Sequence, residues 1–204
     1  EEYPLHPESP YAASKAIAEQ MIQDYYRAYG QHYCILRYFN ACGSDPDGEL
    51  GADPYKETRV VAVAMKAGIL HQPFSLFGTD WPTPDQTAVR DYIHVSDLAG
   101  AHVAALHALL DGRESSLICN LGIGRGLSVF EIIQGVEEVL GYALDVRIHP
   151  RRPGDVAVSI ADATRMRTRL HFEPSHSSLK EIMRTTYRWQ SHLLGPQNQL
   201  RAAS

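Results

Sequence analysis

Tyr11 and Lys15 stand four residues apart in Tyr11-Ala-Ala-Ser-Lys15. On a helix, residues at that spacing share one face. A phenol ordinarily has a pKa near 10 and makes a poor base at neutral pH. An ammonium about 5 Å away, at an effective dielectric near 20, favours the phenolate by roughly 3 kcal/mol, or about two pKa units. That brings a phenol within reach of general-base work on a sugar hydroxyl. Taken alone, the pair reads more simply as a surface lysine beside a half-buried tyrosine.

Three further stretches carry groups suited to an anionic sugar ligand. Leu36-Arg37-Tyr38-Phe39-Asn40 is a strand leading into a glycine-bearing loop. Loops at the carboxyl ends of strands are where α/β folds bind ligands, and Asn40 could hydrogen-bond a phosphate or sugar oxygen. A turn-forming asparagine is the alternative. In Val89-Arg90-Asp91-Tyr92-Ile93-His94-Val95, Arg90 offers the planar fork that suits a diphosphate, or else forms a surface pair with Asp91. His94 suits a packed, hydrogen-bonded histidine better than a catalyst. Pro150-Arg151-Arg152-Pro153-Gly154-Asp155 sets two arginines and a carboxylate on a rigid turn. It could clamp phosphate and ribose hydroxyls, or stand as a solvated charged turn.

The elements that must position these groups alternate. Ser9-Pro10 opens a helix over 11–29 that Gly30 stops, with Ile17, Met21 and Tyr25 on one face and Ile22 beside it. Strands are predicted at 33–38, 74–77, 91–95, 117–121 and 145–149. Helices are predicted at 58–67, from a Ser96-Asp97 cap to 110, at 164–170 and at 179–192. Ser128-Val129-Phe130-Glu131 is a capping box opening another helix to Leu140. Strands separated by helices give an α/β chain with a parallel sheet. Long loops at 39–56 and 78–90 point to function. The tail, 193–204, reads as disordered.

Composition narrows the classes. The 204 residues are 44% hydrophobic, enough for a real core. A net charge of −5 leaves no basic stripe for a nucleic acid. No apolar run approaches the roughly 20 residues that span a bilayer. Three cysteines, Cys34, Cys42 and Cys119, form no metal spacing and read as reduced thiols in a cytoplasmic protein. Glu1-Glu2-Tyr3-Pro4 is neither a signal peptide nor an initiator methionine, so a chain cut from something longer is expected. Gly122-Ile123-Gly124-Arg125-Gly126 lacks the third spaced glycine and the acidic residue about 20 positions on that a dinucleotide site needs. It reads as a strand-end loop, and a Rossmann nucleotide site would lie before Glu1.

In order, Tyr11 to Lys15, Leu36 to Asn40, Phe77 to Val95, Cys119-Asn120-Leu121-Gly122 and Pro150 to Asp155 resemble the extended short-chain dehydrogenase/reductase superfamily. Within it, the series is similar to the UDP-glucose 4-epimerase family from about Pro4 to Gln190. The specific part is Phe77-Gly-Thr-Asp-Trp-Pro-Thr-Pro-Asp-Gln-Thr-Ala-Val-Arg-Asp-Tyr-Ile-His-Val95.

The resemblance implies a Rossmann-type doubly wound NAD domain, incomplete here, with a smaller α/β substrate domain. Segments 1–38 and 91–123 would belong to the first, 39–90 and 124–192 to the second. It implies NAD as cofactor, a UDP-sugar as substrate and a homodimer formed through the helix of Tyr11. Tyr11 would be the base, and Lys15 would assist it and bind the nicotinamide ribose. Asn40, Arg90 and Arg152 match diphosphate and sugar contacts, Asp155 a ribose contact, and Ser75 and Phe77 the uracil-facing strand. Ser159 matches a substrate-size gate, where a small residue suits N-acetylhexosamines too.

Two departures stand out. The family's glycine motif and catalytic serine or threonine are absent, and four or five βαβ-type units of about 30 residues would hold them. Thr58-Arg59-Val60-Val61-Ala62 has no proline where the family usually has Leu-Ile-Pro near the substrate. The alternatives are a nucleotide-sugar dehydratase or decarboxylase, or a truncated module that only binds a UDP-sugar.

Overall fold

The computed structural model describes residues 1–195. Helix α1 (Pro10–Tyr29) begins where Ser9 Oγ accepts the Ala12 N–H, and ends at Gly30, whose φ of 67° only glycine adopts freely. Strand β1 (Tyr33–Tyr38) follows. At Phe39 the chain changes partner: the Phe39 N–H still bonds Leu121 O, but β2 (Asn40–Cys42) pairs elsewhere. Asn40, expected in a loop, is therefore strand.

Helix α2 (Val60–Ile69) starts two residues later than the pattern suggests, because the Glu57 carboxylate takes the Thr58 and Arg59 N–H groups. Then come β3 (Phe74–Phe77), β4 (Val89–His94) and α3 (Val95–Leu110). The cap of α3 is the His94 ring rather than Ser96 or Asp97. Strand β5 (Ser116–Leu121), β6 (Gly126–Ser128) and α4 (Val129–Leu140) continue the alternation. In α4 both halves of the capping box form. Strands β7 (Val146–His149) and β8 (Val158–Ser159) precede α5 (Thr164–Arg169) and α6 (Leu179–Leu194). Only residues up to Gly195 of the expected tail are described, and α6 includes 193 and 194.

The architecture is α/β. β1 pairs β5, β2 and β8 pair β4, and β3 pairs β7, all in parallel, while β6 runs antiparallel to β4. Two cores flank β4, whose successive side chains alternate faces. Tyr92 joins Met65, Ile132, Ile182 and Met183 between α2, α4 and α6. Ile93 joins Ala101, Leu117, Cys119, Leu121 and Met166 between α3, α5 and β5. Among the described residues no helix is long and apolar enough to cross a membrane.

Helix α1 stands apart, with no buried residue. Arg37 on β1 ties it down by a fork to Glu19, with contacts of 2.9 and 2.6 Å.

Candidate functional site

A cleft of about 390 Å³ opens between β2, β4, β3, the start of α2, the last turns of α6 and the turn at 150–155. Asn40, Ser75, Phe77, Arg90, Arg152 and Asp155 all line it. The parallel register sets Asn40 beside Tyr92, and Arg90 two residues earlier on the same strand.

Arg90 Nη1 donates to its neighbours' carbonyls, Val89 O at 2.9 Å and Ala157 O at 3.5 Å. Of the two adjacent arginines only Arg152 serves the cleft, its guanidinium 3.8 Å from the Phe77 ring centroid. Arg151 turns away to Asp80 at 2.8 Å and lies over Trp81. Gly154, at φ 84°, gives the turn between Arg152 and Asp155 its shape. His149 stacks on Phe77 at 5.2 Å. Neither Arg90 nor Arg152 has a carboxylate within ion-pair distance among the described residues. Two guanidinium groups that face one cleft with no carboxylate in ion-pair contact make an anion site suited to a diphosphate.

Tyr11 and Lys15 do not line this cleft. They sit on exposed α1, with Lys15 Nζ 5.3 Å from the Tyr11 ring centroid, so the shared face predicted from their spacing is present. Ser159 lies on β8 opposite Arg90 in register, outside the lining. Asp91, read as a possible surface partner of Arg90, is instead fully buried. It accepts the N–H groups of Ile123 (2.9 Å), Gly124 (2.8 Å) and Ala161 (3.2 Å). The amides of the Gly122–Gly124 loop are thus committed to a carboxylate, and a side chain at Gly122 would strike Asp91 and Ala161. The loop is structural and cradles no phosphate.

The cleft also holds residues that the sequence reading passed over. Arg59 donates to Glu57 through Nε at 2.8 Å and through Nη2, and Nη1 reaches Ala41 O at 3.4 Å. The hydrogen bond from Arg59 holds the Glu57 carboxyl below its usual range against the opposing effect of burial. The Glu57-Thr58-Arg59 spacing was the available signal. Gln190 donates to Ala62 O at 3.0 Å while its buried Oε1 has no partner, and Trp189 donates to Ala52 O at 2.8 Å. Nothing in the sequence near α6 marks those two, because the loop and the helix they meet lie more than a hundred residues away.

The thiols are unreactive by environment. Burial pushes Cys34 up to about 11 and Cys119 up to about 12, far from a thiolate at neutral pH. No group of three histidine, cysteine, aspartate or glutamate side chains is placed to hold a metal among the described residues.

The family model described as NAD dependent epimerase/dehydratase family matches residues 1–122. The chain belongs to this family. It is 44% identical over 194 residues to the UDP-glucose 4-epimerase of Azospirillum brasilense, covering 95% of this chain and 56% of that protein. The crystal structure of UDP-glucose 4-epimerase from Brucella ovis in complex with NAD superposes with a TM-score of 0.87 at 42% identity, over 92% of this chain and 57% of that one. The Stenotrophomonas maltophila UDP-glucose 4-epimerase, with bound NAD and formylated UDP-arabinopyranose, gives 0.87 at 40% identity, over 95% and 58%. The chain therefore spans a little over half the length of these relatives. Its α/β architecture is part of a Rossmann fold, and NAD is the cofactor of its family.

Proposed function

We propose that the whole protein carrying this chain interconverts UDP-glucose and UDP-galactose. The observation that carries the reading is the cleft in which Asn40, Phe77, Arg90, Arg152 and Asp155 converge, with the Arg90 and Arg152 guanidinium groups in no ion pair among the described residues. Arg90 and Arg152 hold the diphosphate, Asp155 the ribose hydroxyls, Ser75 and Phe77 the uracil, and Asn40 the end towards the sugar.

NAD supplies, when bound, reversible two-electron oxidation at C4 of the hexose. Tyr11 takes the proton of the 4-hydroxyl and returns it when the other epimer forms. Lys15, one helical turn on, stabilises the phenolate and binds the nicotinamide ribose. The pair is open to solvent on α1, so its face is free for that role, whereas the committed Ile123 and Gly124 amides leave the pyrophosphate of NAD, as distinct from that of the UDP-sugar, to residues outside this chain.

The domain division follows: 1–38 and 91–123 to the nucleotide domain, 39–90 and 124–192 to the substrate domain. Ser159 lies outside the cleft lining but beside Arg90 in register, and its small side chain is the basis for a substrate with an N-acetyl group. The thiols fit a cytoplasmic protein, and α1 fits a homodimer contact.

Epimerisation of UDP-galactose by the whole protein, with NAD supplied, tests the reading. Tyr11→Phe is expected to lower turnover by a factor of roughly 10² to 10⁴. A wild type without activity removes the proposal, and failure on UDP-N-acetylglucosamine alone removes the role of Ser159.

A further inference from the structure

His94, at the end of β4, has no exposed surface and takes no part in the binding scheme above. Its backbone N–H donates to Ser177 Oγ at 2.8 Å. Its Nδ1 accepts the Ser96 N–H at 3.1 Å, capping α3. A nitrogen that accepts carries no hydrogen, so the hydrogen of the neutral ring lies on Nε2. Nε2 stands 2.9 Å from Thr185 Oγ1 and donates to it. The Thr185 hydroxyl in turn donates to Glu181 O or Ile182 O, at 3.0 and 3.2 Å. It also accepts the Ser44 N–H at 3.3 Å. Every hydrogen-bonding position of the imidazole and the hydroxyl is used.

Ser44 and Gly43 follow directly on Asn40–Cys42, and all of them line the cleft. β2 is only three residues long, and its last, Cys42, is paired with His94. Gly43 lies flat against the imidazole at φ 77°, where any side chain would run into the ring. The backbone that leaves β2 is thus held on one side by the ring and on the other by the hydroxyl the ring donates to.

We propose that His94 is a positioning residue: as a neutral Nε2–H ring it fixes, through Thr185, the Gly43–Ser44 backbone and with it the Asn40 wall of the cleft. Proton uptake would set Nδ1–H against the Ser96 N–H, break the cap and release that wall. Burial is the main influence holding the ring below its ordinary range. Asp97 on α3 and Glu181 on α6 act the other way, while His176, its ring 5.7 Å off, and Arg184 on α6 act with burial. Asp97 is already engaged by Ser175, His176 and Ser177. An unfolded histidine titrates near 6.5 and this ring lower, so folded stability is full above about 6.5 and falls as the pH drops.

The proposal rests on the UDP-sugar reading for its ligand, and UDP-glucose has no phosphate titrating near neutrality to confuse the result. Its affinity for the whole protein is measured by calorimetry from pH 7.5 down to the lowest pH at which thermal unfolding shows the sample still folded. Wild type should weaken about fivefold or more across that range. Thr185→Val should be weak throughout with little slope, and Thr185→Ser should restore the wild-type profile. A flat wild-type profile, or Thr185→Val with the wild-type profile, overturns the proposal. Nitrogen NMR should find the His94 hydrogen on Nε2, and its presence on Nδ1 would also overturn it. If wild type binds no UDP-glucose at any pH, the functional reading fails instead. Protection of the Ser44 amide from exchange then decides: loss at low pH and in Thr185→Val supports the clamp, and unchanged protection removes it.

Discussion

A single side chain in this cleft acts through what it lacks as much as through what it touches. Arg59 is already paired to a buried glutamate, so an incoming anion must compete for it. Among the described residues Arg152 has no such partner, and its guanidinium lies over the Phe77 ring. Replacing it with methionine keeps much of the stem while removing the charge-assisted bonds. These are each worth about 1.5–3 kcal/mol, which corresponds to roughly 10- to 100-fold in affinity for a UDP-sugar. We expect the KM of Arg152→Met in the whole protein to rise by that factor with kcat little changed. Arg151→Met, whose guanidinium faces Asp80, should leave KM alone. The residue pattern marked the Arg-Arg pair without separating its members, and only the family resemblance singled out Arg152, because which one faces the cleft depends on Asp80 and Trp81 far back in the chain. Asp91 was misjudged for the same reason: its three amide partners come from two distant loops.

Elements were legible where their signals were local. α1, α4 and the strands at 33–38 and 74–77 follow from caps, glycines and apolar runs in the immediate sequence. β6 and β8 were not legible, since three- and two-residue strands exist only because β4 lies between partners to receive them. The cap of α3 lies two residues earlier than the local pattern suggests. A serine and an aspartate follow His94, and nothing local says that a buried imidazole supplies the acceptor instead. The capping box of α4 is the strongest local signal, and it also seats the cleft: Val129 lines the cavity and Ile132 fills the core below it. Ser128→Ala removes the hydroxyl that accepts the Glu131 N–H at 3.0 Å, within a buried turn. A loss of about 1 kcal/mol is expected from urea unfolding with an unchanged slope. A loss below about 0.3 kcal/mol would mean that packing, not the cap, fixes this helix start.

The whole molecule poses the question of what α1 leans on. Its apolar residues Ile17, Met21 and Tyr25 recur at helical spacing, yet they are 61%, 56% and 53% exposed. Helix stability in a protein comes mostly from burying such a stripe. Arg37 and its fork to Glu19 fix the opposite side of the helix against β1, so the stripe faces outward with no partner among the described residues. The same stripe on a second copy is the self-complementary surface that a two-fold pair requires. Tyr11 and Lys15 ride on this helix, so a contact that fixes α1 also fixes the proposed base. In the whole protein, Met21→Glu puts a charge at the centre of the stripe and is expected to shift the mass seen by light scattering from dimer to monomer at micromolar concentration. Turnover should fall with the dimer, because α1 loses the surface that orders it. A variant that stays dimeric would place the contact elsewhere and leave the stripe to residues outside this chain.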